Sequence, residues 1–506
     1  MPRLTGTAQP VALGEGYAVR APGIQGDATL QRPHTDASRA GRATDEGTDA
    51  LDQAFASTNV TEVRQIEVWV QPTAGPPPME PIRGADAQEM LELQVPDLGP
   101  ENGQAVLACD ESGVLTWHLP VAEPPAAAEA QRGAGATRRF LIPATRVAPT
   151  PPATGGSERS LIGTVGRKLL KVLVYPVTDP VIGLISDLFA ERWETRNRPY
   201  GLRTMSPGDF RQKGAGTLQA ADWNRLAAGR ALLMVHGTFS TAHGAFAGLP
   251  DTTFSELHTR YGGRVMAFNH FTLAHDPRQN VEWLLSQLPA DLKLDLDIVC
   301  HSRGGLVSRT LAERPSVFGL DTSRVQVKRV VFVGVPNQGT ILADPEHMVQ
   351  MLDRLTSALN LFPTGAVVEV LEAIITVVKM IGHGALKGLD GLASMRPDGK
   401  ILKALNAGQP SGVEYFAIAA DYEPQAQGLK ALVAGSVADA VLDRVFQKVA
   451  NDLVVPEPGV YGKNGSGGFP IPDARLLRLA ATEGVVHTTM FSHPSTSARL
   501  NQWLTA

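Results

Sequence analysis

The chain has 506 residues, with Lys+Arg 46 against Asp+Glu 51 and a formal charge of −5. That balance argues against nucleic acid as a partner, while 43% apolar residues suffice for a sizeable core in a chain long enough for two or three domains. The two cysteines, Cys109 and Cys300, cannot build a disulfide framework, and the opening Met1 to Pro10 has no apolar run of signal-peptide length. Free thiols and a cytoplasmic, reducing location are therefore expected.

Residues 1–58 are rich in Gly, Ala, Thr, Asp and Arg, with Tyr17 and Phe55 as their aromatics. This composition predicts a tail without a core of its own. Alternating runs follow at Ile66 to Val70, Leu91 to Val95, Val114 to Leu119 and Arg139 to Ile142, so residues 59–145 read as a small β-rich domain. No catalytic constellation falls in it. In the stretch 146–200, Pro/Ala/Gly-rich sequence gives way to Leu161 to Trp193, where Leu169, Leu170, Val172, Leu173 and Val174 crowd together and Pro176 and Pro180 interrupt. The expectation is a linker and a pair of amphipathic helices packed on a core, in preference to a membrane-touching surface.

Chemistry concentrates in residues 201–506. A short helix is expected at Asp222 to Leu226, and the apolar run Arg230 to Val235 then ends in His236-Gly237-Thr238-Phe239. A glycine there lets the backbone approach a reacting carbonyl, and the N–H of Thr238 or Phe239 can serve as an oxyanion donor. A strand ending near His270 and a helix from Asn280 to Leu288 lead into Leu296-Asp297-Ile298-Val299-Cys300-His301-Ser302-Arg303-Gly304-Gly305. A serine hydroxyl is a poor nucleophile unless it is held on a tight turn beside a base, and strand–G-x-S-x-G–helix does this. Ser302 is the candidate nucleophile, with Cys300 standing where glycine is usual, and the N–H of Arg303 is the second oxyanion donor. His236 and His301 flank the site as hydrogen-bonded neutral imidazoles.

Acid and base should follow in the order Ser, Asp, His. Asp452, opening the loop Asp452-Leu453-Val454-Val455-Pro456, is preferred as the acid over Asp421, Asp439 and Asp443. After the strand candidate Ala474 to Ala480, His487 is the expected base. His493 precedes Pro494 at the start of a terminal helix and reads as a surface residue.

At four places, His236-Gly237-Thr238-Phe239, His301-Ser302-Arg303-Gly304-Gly305, Val335-Pro336-Asn337-Gln338-Gly339-Thr340 and Asp452-Leu453-Val454-Val455-Pro456, the sequence resembles the lipase-like branch of the α/β-hydrolase superfamily, the bacterial esterases and lipases and their PGAP1-like relatives. The resemblance covers roughly residues 200–506. It implies an α/β-hydrolase fold with an eight-stranded, mostly parallel, doubly wound sheet, Ser302 as nucleophile, His487 as base and Asp452 as its partner. Asn337 and Gly237 fall beside the site on the same ground. No metal or organic cofactor is implied.

Between Asn337 and Tyr415 lies an apolar insertion of helical pattern, with Glu369, Glu372 and Lys379 arguing against a membrane span. A helical cap over residues 343–395 is expected, with Gly382, Gly384 and Gly388 as candidate hinges. In lipases such helices meet the acyl chain. The resulting expectation is a serine carboxylic-ester hydrolase acting through an acyl-enzyme on esters with hydrophobic acyl groups, with contact to a lipid interface left open. A thioesterase or acyltransferase of the same fold, and a non-catalytic partner-binding module, are the alternatives.

Overall fold

The computed structural model describes residues 1–33, 46–71, 90–110, 115–121, 136–143, 166–177, 189–313, 316–344, 347–357, 367–382, 389–407, 412–422, 451–462 and 471–505. They fall into two compact units, one built on Met1–Pro180 and the other on Val181–Met380, Ala385–Gln425 and Val441–Ala506.

Among its described residues, the first unit is antiparallel β-structure with a helix at Glu46–Ser57. Its strands are β1 (Arg3–Thr5), β2 (Val11–Gly14), β3 (Tyr17–Arg20), β4 (Gln25–Gln31), β5 (Thr61–Val70), β6 (Met90–Pro96), β7 (Asn102–Asp110), β8 (Leu115–His118), β9 (Thr137–Pro143) and β10 (Gly166–Pro176). They make a six-stranded sheet, β1-β4-β5-β10-β7-β8, and a four-stranded sheet, β2-β3-β6-β9. Alternate residues of both sheets, among them Val19, Ala28, Ile66, Val68, Leu93, Phe140, Leu170 and Val172, bury into one shared core.

Two expectations are corrected here. Residues 1–33 are not a coreless tail: Leu4, Val19, Ile24 and Ala28 are buried, and β4 pairs with β5 over Gly26 to Gln31. A few apolar residues spaced along short strands supply enough apolar surface once a second sheet covers them, and composition averages that pattern away. Likewise Leu169 to Val174 is not helical but the centre of β10, paired on both sides with β5 and β7. Lys168, Leu170 and Val172 share the buried face, which is the two-residue period of a strand. The stretch 144–165, Asp439, Asp443, Gly384 and Gly388 lie outside the described residues.

The second unit is an α/β structure. Its strands β11 (Gly201–Thr204), β12 (Ala231–Val235), β13 (Val265–Asn269), β14 (Leu294–His301), β15 (Val325–Val333), β16 (Glu414–Ala420) and β17 (Leu476–Leu479) form one sheet in the order β11-β13-β12-β14-β15-β16-β17. Only β11 runs antiparallel to its neighbour. Seven strands are described where eight were expected. β12 and β14 are buried along almost their whole length, which is why they read as continuous apolar runs rather than alternating ones. The helix Pro277–Gln287 returns the chain to β14, its N-terminus closed by a reciprocal capping box between Asp276 and Gln279.

The strand order places the site. From β12 the chain moves to β13 on one side and then to β14 on the other, so the loops after β12 and β14 diverge. A crevice opens at the carboxyl ends of the strands where the order reverses, the usual ligand position in an open parallel sheet. The loop after β12 carries residues 236–239, and β14 runs into Ser302.

Candidate active site

Ser302 sits between β14 and the helix Gly304–Glu313 with φ of 52°. A left-handed backbone at a non-glycine residue costs free energy that the surroundings must supply, and such strain gathers at functional positions. Here the turn is pinned from both sides: Ser302 N donates to Val333 O at 2.9 Å, and Gly305 N donates to Ser302 O at 2.9 Å. Cys300, two residues earlier, is fully buried in the sheet with its thiol donating to Val331 O at 3.4 Å. Burial pushes that thiol up to about 12, so the cysteine in place of glycine packs as a small apolar group.

Gly237 lies against the serine. A Cβ on it would stand 2.6 Å from Ser302 Cβ, so this position admits no side chain. Its neighbour Phe239 is also left-handed, at φ 58°. Among the described residues the main-chain amides of Thr238, Phe239 and Arg303 donate to no protein acceptor. Amides without protein acceptors beside a serine in left-handed conformation are the arrangement that receives an anion.

His487 and Asp452 come from opposite sides of β17, 35 residues apart, and meet at His487 Nδ1 and Asp452 Oδ2, 2.7 Å from each other. The main chain repeats the link, with His487 N donating to Asp452 O at 3.0 Å. The other carboxylate oxygen, Asp452 Oδ1, accepts from the amides of Val454 at 3.0 Å and Val455 at 2.7 Å. Both side chains are buried. Gly334, at the end of β15 with φ of 59°, makes room for them: a Cβ there would be 3.1 Å from the imidazole and 3.3 Å from Asp452 Oδ2.

Ser302 and His487 line one cavity, together with Thr238, Phe239, Ser240, His301, Met351, Leu355, Val370, Met395 and Val454. No hydrogen bond joins Ser302 Oγ to His487 among the described residues, and in unliganded sites that contact is often loose and tightens with substrate. Met351 belongs to the helix Met348–Ser357 and Val370 to the helix Val367–Gly382, so the apolar insertion supplies much of the wall. No helix among the described residues is long and apolar enough to cross a membrane. Glu369 is held at the head of its helix: Lys213 donates to its carboxylate at 2.7 Å and His243 lies 3.2 Å away. Burial alone would raise this carboxyl, but the hydrogen bonds from His243 and Lys213 bring it down to about 2.

The remaining sequence candidates separate. His301 Nε2 donates to His487 O at 2.9 Å, supporting the segment that carries the imidazole. His236 lies behind the loop, with Nδ1 2.9 Å from Gly237 O. Asn337 is not on the cavity wall: its amide donates to Val460 O and accepts from Arg309, bracing the loop after β15. Asp421 donates its main-chain amide to Leu479 O and, among the described residues, forms no hydrogen bond with His487. His493 caps the helix Pro494–Trp503 by accepting from Ser495 N.

Sequence reasoning missed Glu194. In the helix Phe189–Asn197 it reads as one of several solvated charges, yet it is fully buried and accepts from the amides of Thr272, Leu273 and Ala274. Burial pushes its carboxyl up, against those amides and Arg303. No periodicity distinguishes it from Glu191.

His270 and His301 are held at about 3 and His236 well below its usual range, in each case first by burial. The sign of the consequence follows directly. Between the ordinary value of 6.5 and about 3 the unfolded chain binds protons that the folded chain refuses, so stability is lost as pH falls through this window. Each histidine contributes about 1.4 kcal/mol per pH unit when its unfolded form is fully protonated. Urea titrations at pH 7, 6 and 5 should show the unfolding free energy dropping with increasing steepness; a flat profile would mean that these imidazoles ionise within the fold.

The chain belongs to the family described as Domain of unknown function (DUF7379), whose model matches residues 197–505. No curated protein matches it. Among solved structures it is similar to lipase 1 from Pelosinus fermentans, at 14% identity over 54% of this chain and 99% of that one, with a TM-score of 0.35. It is also similar to phospholipase PlaB from Legionella pneumophila, at 13% identity over 46% and 45% with a TM-score of 0.29. The metagenomic carboxyl esterase MGS0156 matches at 14% identity over 55% and 76% with a TM-score of 0.29.

Proposed function

We propose that this chain is a serine hydrolase of carboxylic esters with hydrophobic acyl groups, of the α/β-hydrolase type. The observation that carries the reading is the left-handed Ser302 facing a cavity shared with His487, whose far nitrogen is tied to the buried Asp452. Ser302 Oγ adds to the ester carbonyl carbon while His487 Nε2 takes its proton. The carbonyl electrons move to oxygen, where the amides of Arg303 and of Thr238 or Phe239 receive the charge. The imidazolium then returns the proton to the departing alkoxide as the C–O bond breaks, leaving an acyl-enzyme. Water, deprotonated by the same imidazole, repeats the sequence and frees the acid. Nδ1–H donates to Asp452 throughout, which keeps Nε2 available as base.

Initial rates on p-nitrophenyl esters of increasing acyl length, with Ser302→Ala alongside, test this reading. Serine-dependent turnover rising with chain length supports it, and no turnover at any length refutes it. The wall residues give a sharper form. Met351→Trp and Leu355→Trp fill the space between the helices and Ser302. Each should cut the rate on long-chain esters by about 10-fold or more while leaving acetate and butyrate esters within about 3-fold, since pocket discrimination per apolar group is of that order. Equal losses at every length would place the acyl chain elsewhere.

A further inference from the structure

Behind the proposed oxyanion loop lies a chain of buried polar contacts that the ester-hydrolysis reading does not itself require. His270 stands between the two arms of the site. Its ring stacks on His236 at 4.3 Å between centroids and 9° between planes. Its main-chain N donates to His236 Nε2 at 3.2 Å, so that nitrogen carries no proton, and the proton of His236 sits on Nδ1, which donates to Gly237 O at 2.9 Å. His270 Nε2 lies 3.0 Å from His236 O and its Nδ1 lies 3.1 Å from Phe271 O, so the neutral ring donates its one proton to one of these carbonyls; with that proton on Nε2, Nδ1 is left to accept from Arg303 Nη1 at 3.5 Å.

Each contact bears on an amide donor. Gly237 O and Thr238 N share one planar peptide, so fixing the carbonyl fixes the direction of the Thr238 N–H. On the other arm, the Arg303 side chain is fully buried, and its own amide, next to Ser302, donates to no protein acceptor among the described residues. Its guanidinium donates to Gly391 O at 2.7 Å, Ser394 Oγ at 3.1 Å, Asn280 Oδ1 at 3.1 Å and the carbonyl of His275. The loop from Thr272 to Ala274 is in turn clamped by the Glu194 carboxylate. The guanidinium also lies 3.4 Å from Phe271 O, and His270 touches both arms, at His236 O and at Arg303 Nη1.

We propose that His270 is a positioning residue that sets the spacing of the two oxyanion-hole arms, gripping the loop after β12 through His236 and meeting the elbow through the Arg303 guanidinium. The inference rests on the ester-hydrolysis reading above. Burial holds both rings neutral, so each carries a single proton to donate. A donor displaced by a fraction of an ångström still permits substrate binding but no longer matches the tetrahedral oxyanion, so the loss falls on kcat.

The test compares His270→Leu, His270→Gln and His270→Asn, with sites counted by phosphonate titration so that only folded protein is scored. Gln carries a donor far enough along the side chain to reach His236 O; Asn and Leu do not. The Leu and Asn variants should lose about 10- to 100-fold in kcat on a p-nitrophenyl ester with KM within about 2-fold. Their affinity for a trifluoromethyl ketone, which forms an oxyanion adduct on serine, should fall by the same factor, and Gln should recover most of both. If Leu fails to fold, the Gln and Asn pair carries the comparison. Wild-type kcat and ketone affinity per titrated site in Asn would overturn the proposal, as would equal losses in Gln and Asn. Failure of the parent reading looks different: the wild type would not be labelled at Ser302, or Ser302→Ala would stay active.

Discussion

Ser302→Ala should lower kcat for ester hydrolysis by about 10⁴- to 10⁶-fold, with little change in thermal stability. In the proposed reaction the hydroxyl forms the acyl bond, and alanine fits the elbow as serine does. His487→Ala should fall to the same level, because a serine without its base is as inert as no serine at all. The double variant Ser302→Ala/His487→Ala should then be no slower than either single one. His493→Ala is the control for the base, since His493 caps a helix and pairs with Glu483 at 3.4 Å. It should cost some stability and leave kcat within about 3-fold, as expected of a lost cap. A loss matching that of His487→Ala would move the base to His493. Single-turnover and steady-state rates on one activated ester decide the matter.

Asp452→Asn is the second large effect and works through a proton rather than through a lost contact. Asp452 Oδ1 is held by the amides of Val454 and Val455, so the carbonyl oxygen of an asparagine would take that position and its NH₂ would face His487 Nδ1. A donor there forces Nδ1 to accept, and the ring proton moves to Nε2, the nitrogen that must take the serine proton. The expected loss in kcat is about 10⁴-fold, with KM little altered because the cavity wall is unchanged. The main-chain bond from His487 N to Asp452 O survives the substitution, so thermal stability should hold. An Asp452→Asn enzyme within 10-fold of wild type would remove Asp452 from the reaction and return Asp421 to consideration.

The elbow was legible because its chemistry is local. A buried parallel strand reads as an apolar run, and the turn that exposes a serine demands small neighbours within a few residues. The start of the terminal helix at Pro494, and the strands β12, β14 and β17, were readable for the same reason. β10 was misread because Leu169 to Val174 is apolar at nearly every position, and only pairing with β5 and β7 shows that the period is two. Residues 1–33 were misread because their strands are short and their core lies in another sheet.

The sequence by itself determined the strand-to-serine turn, a glycine in the loop after β12, and the order in which an acid and a histidine follow. All of these depend on short-range sterics and on a single chain direction. The tertiary structure alone decided that Asp452 and His487 meet at 2.7 Å, that Asn337 braces a loop away from the cavity wall, and that Glu194 and His270 lie buried. Those facts depend on which strand ends converge at the reversal of strand order, and a polar residue carries no sign in its own neighbourhood of whether water or a buried amide will be its partner.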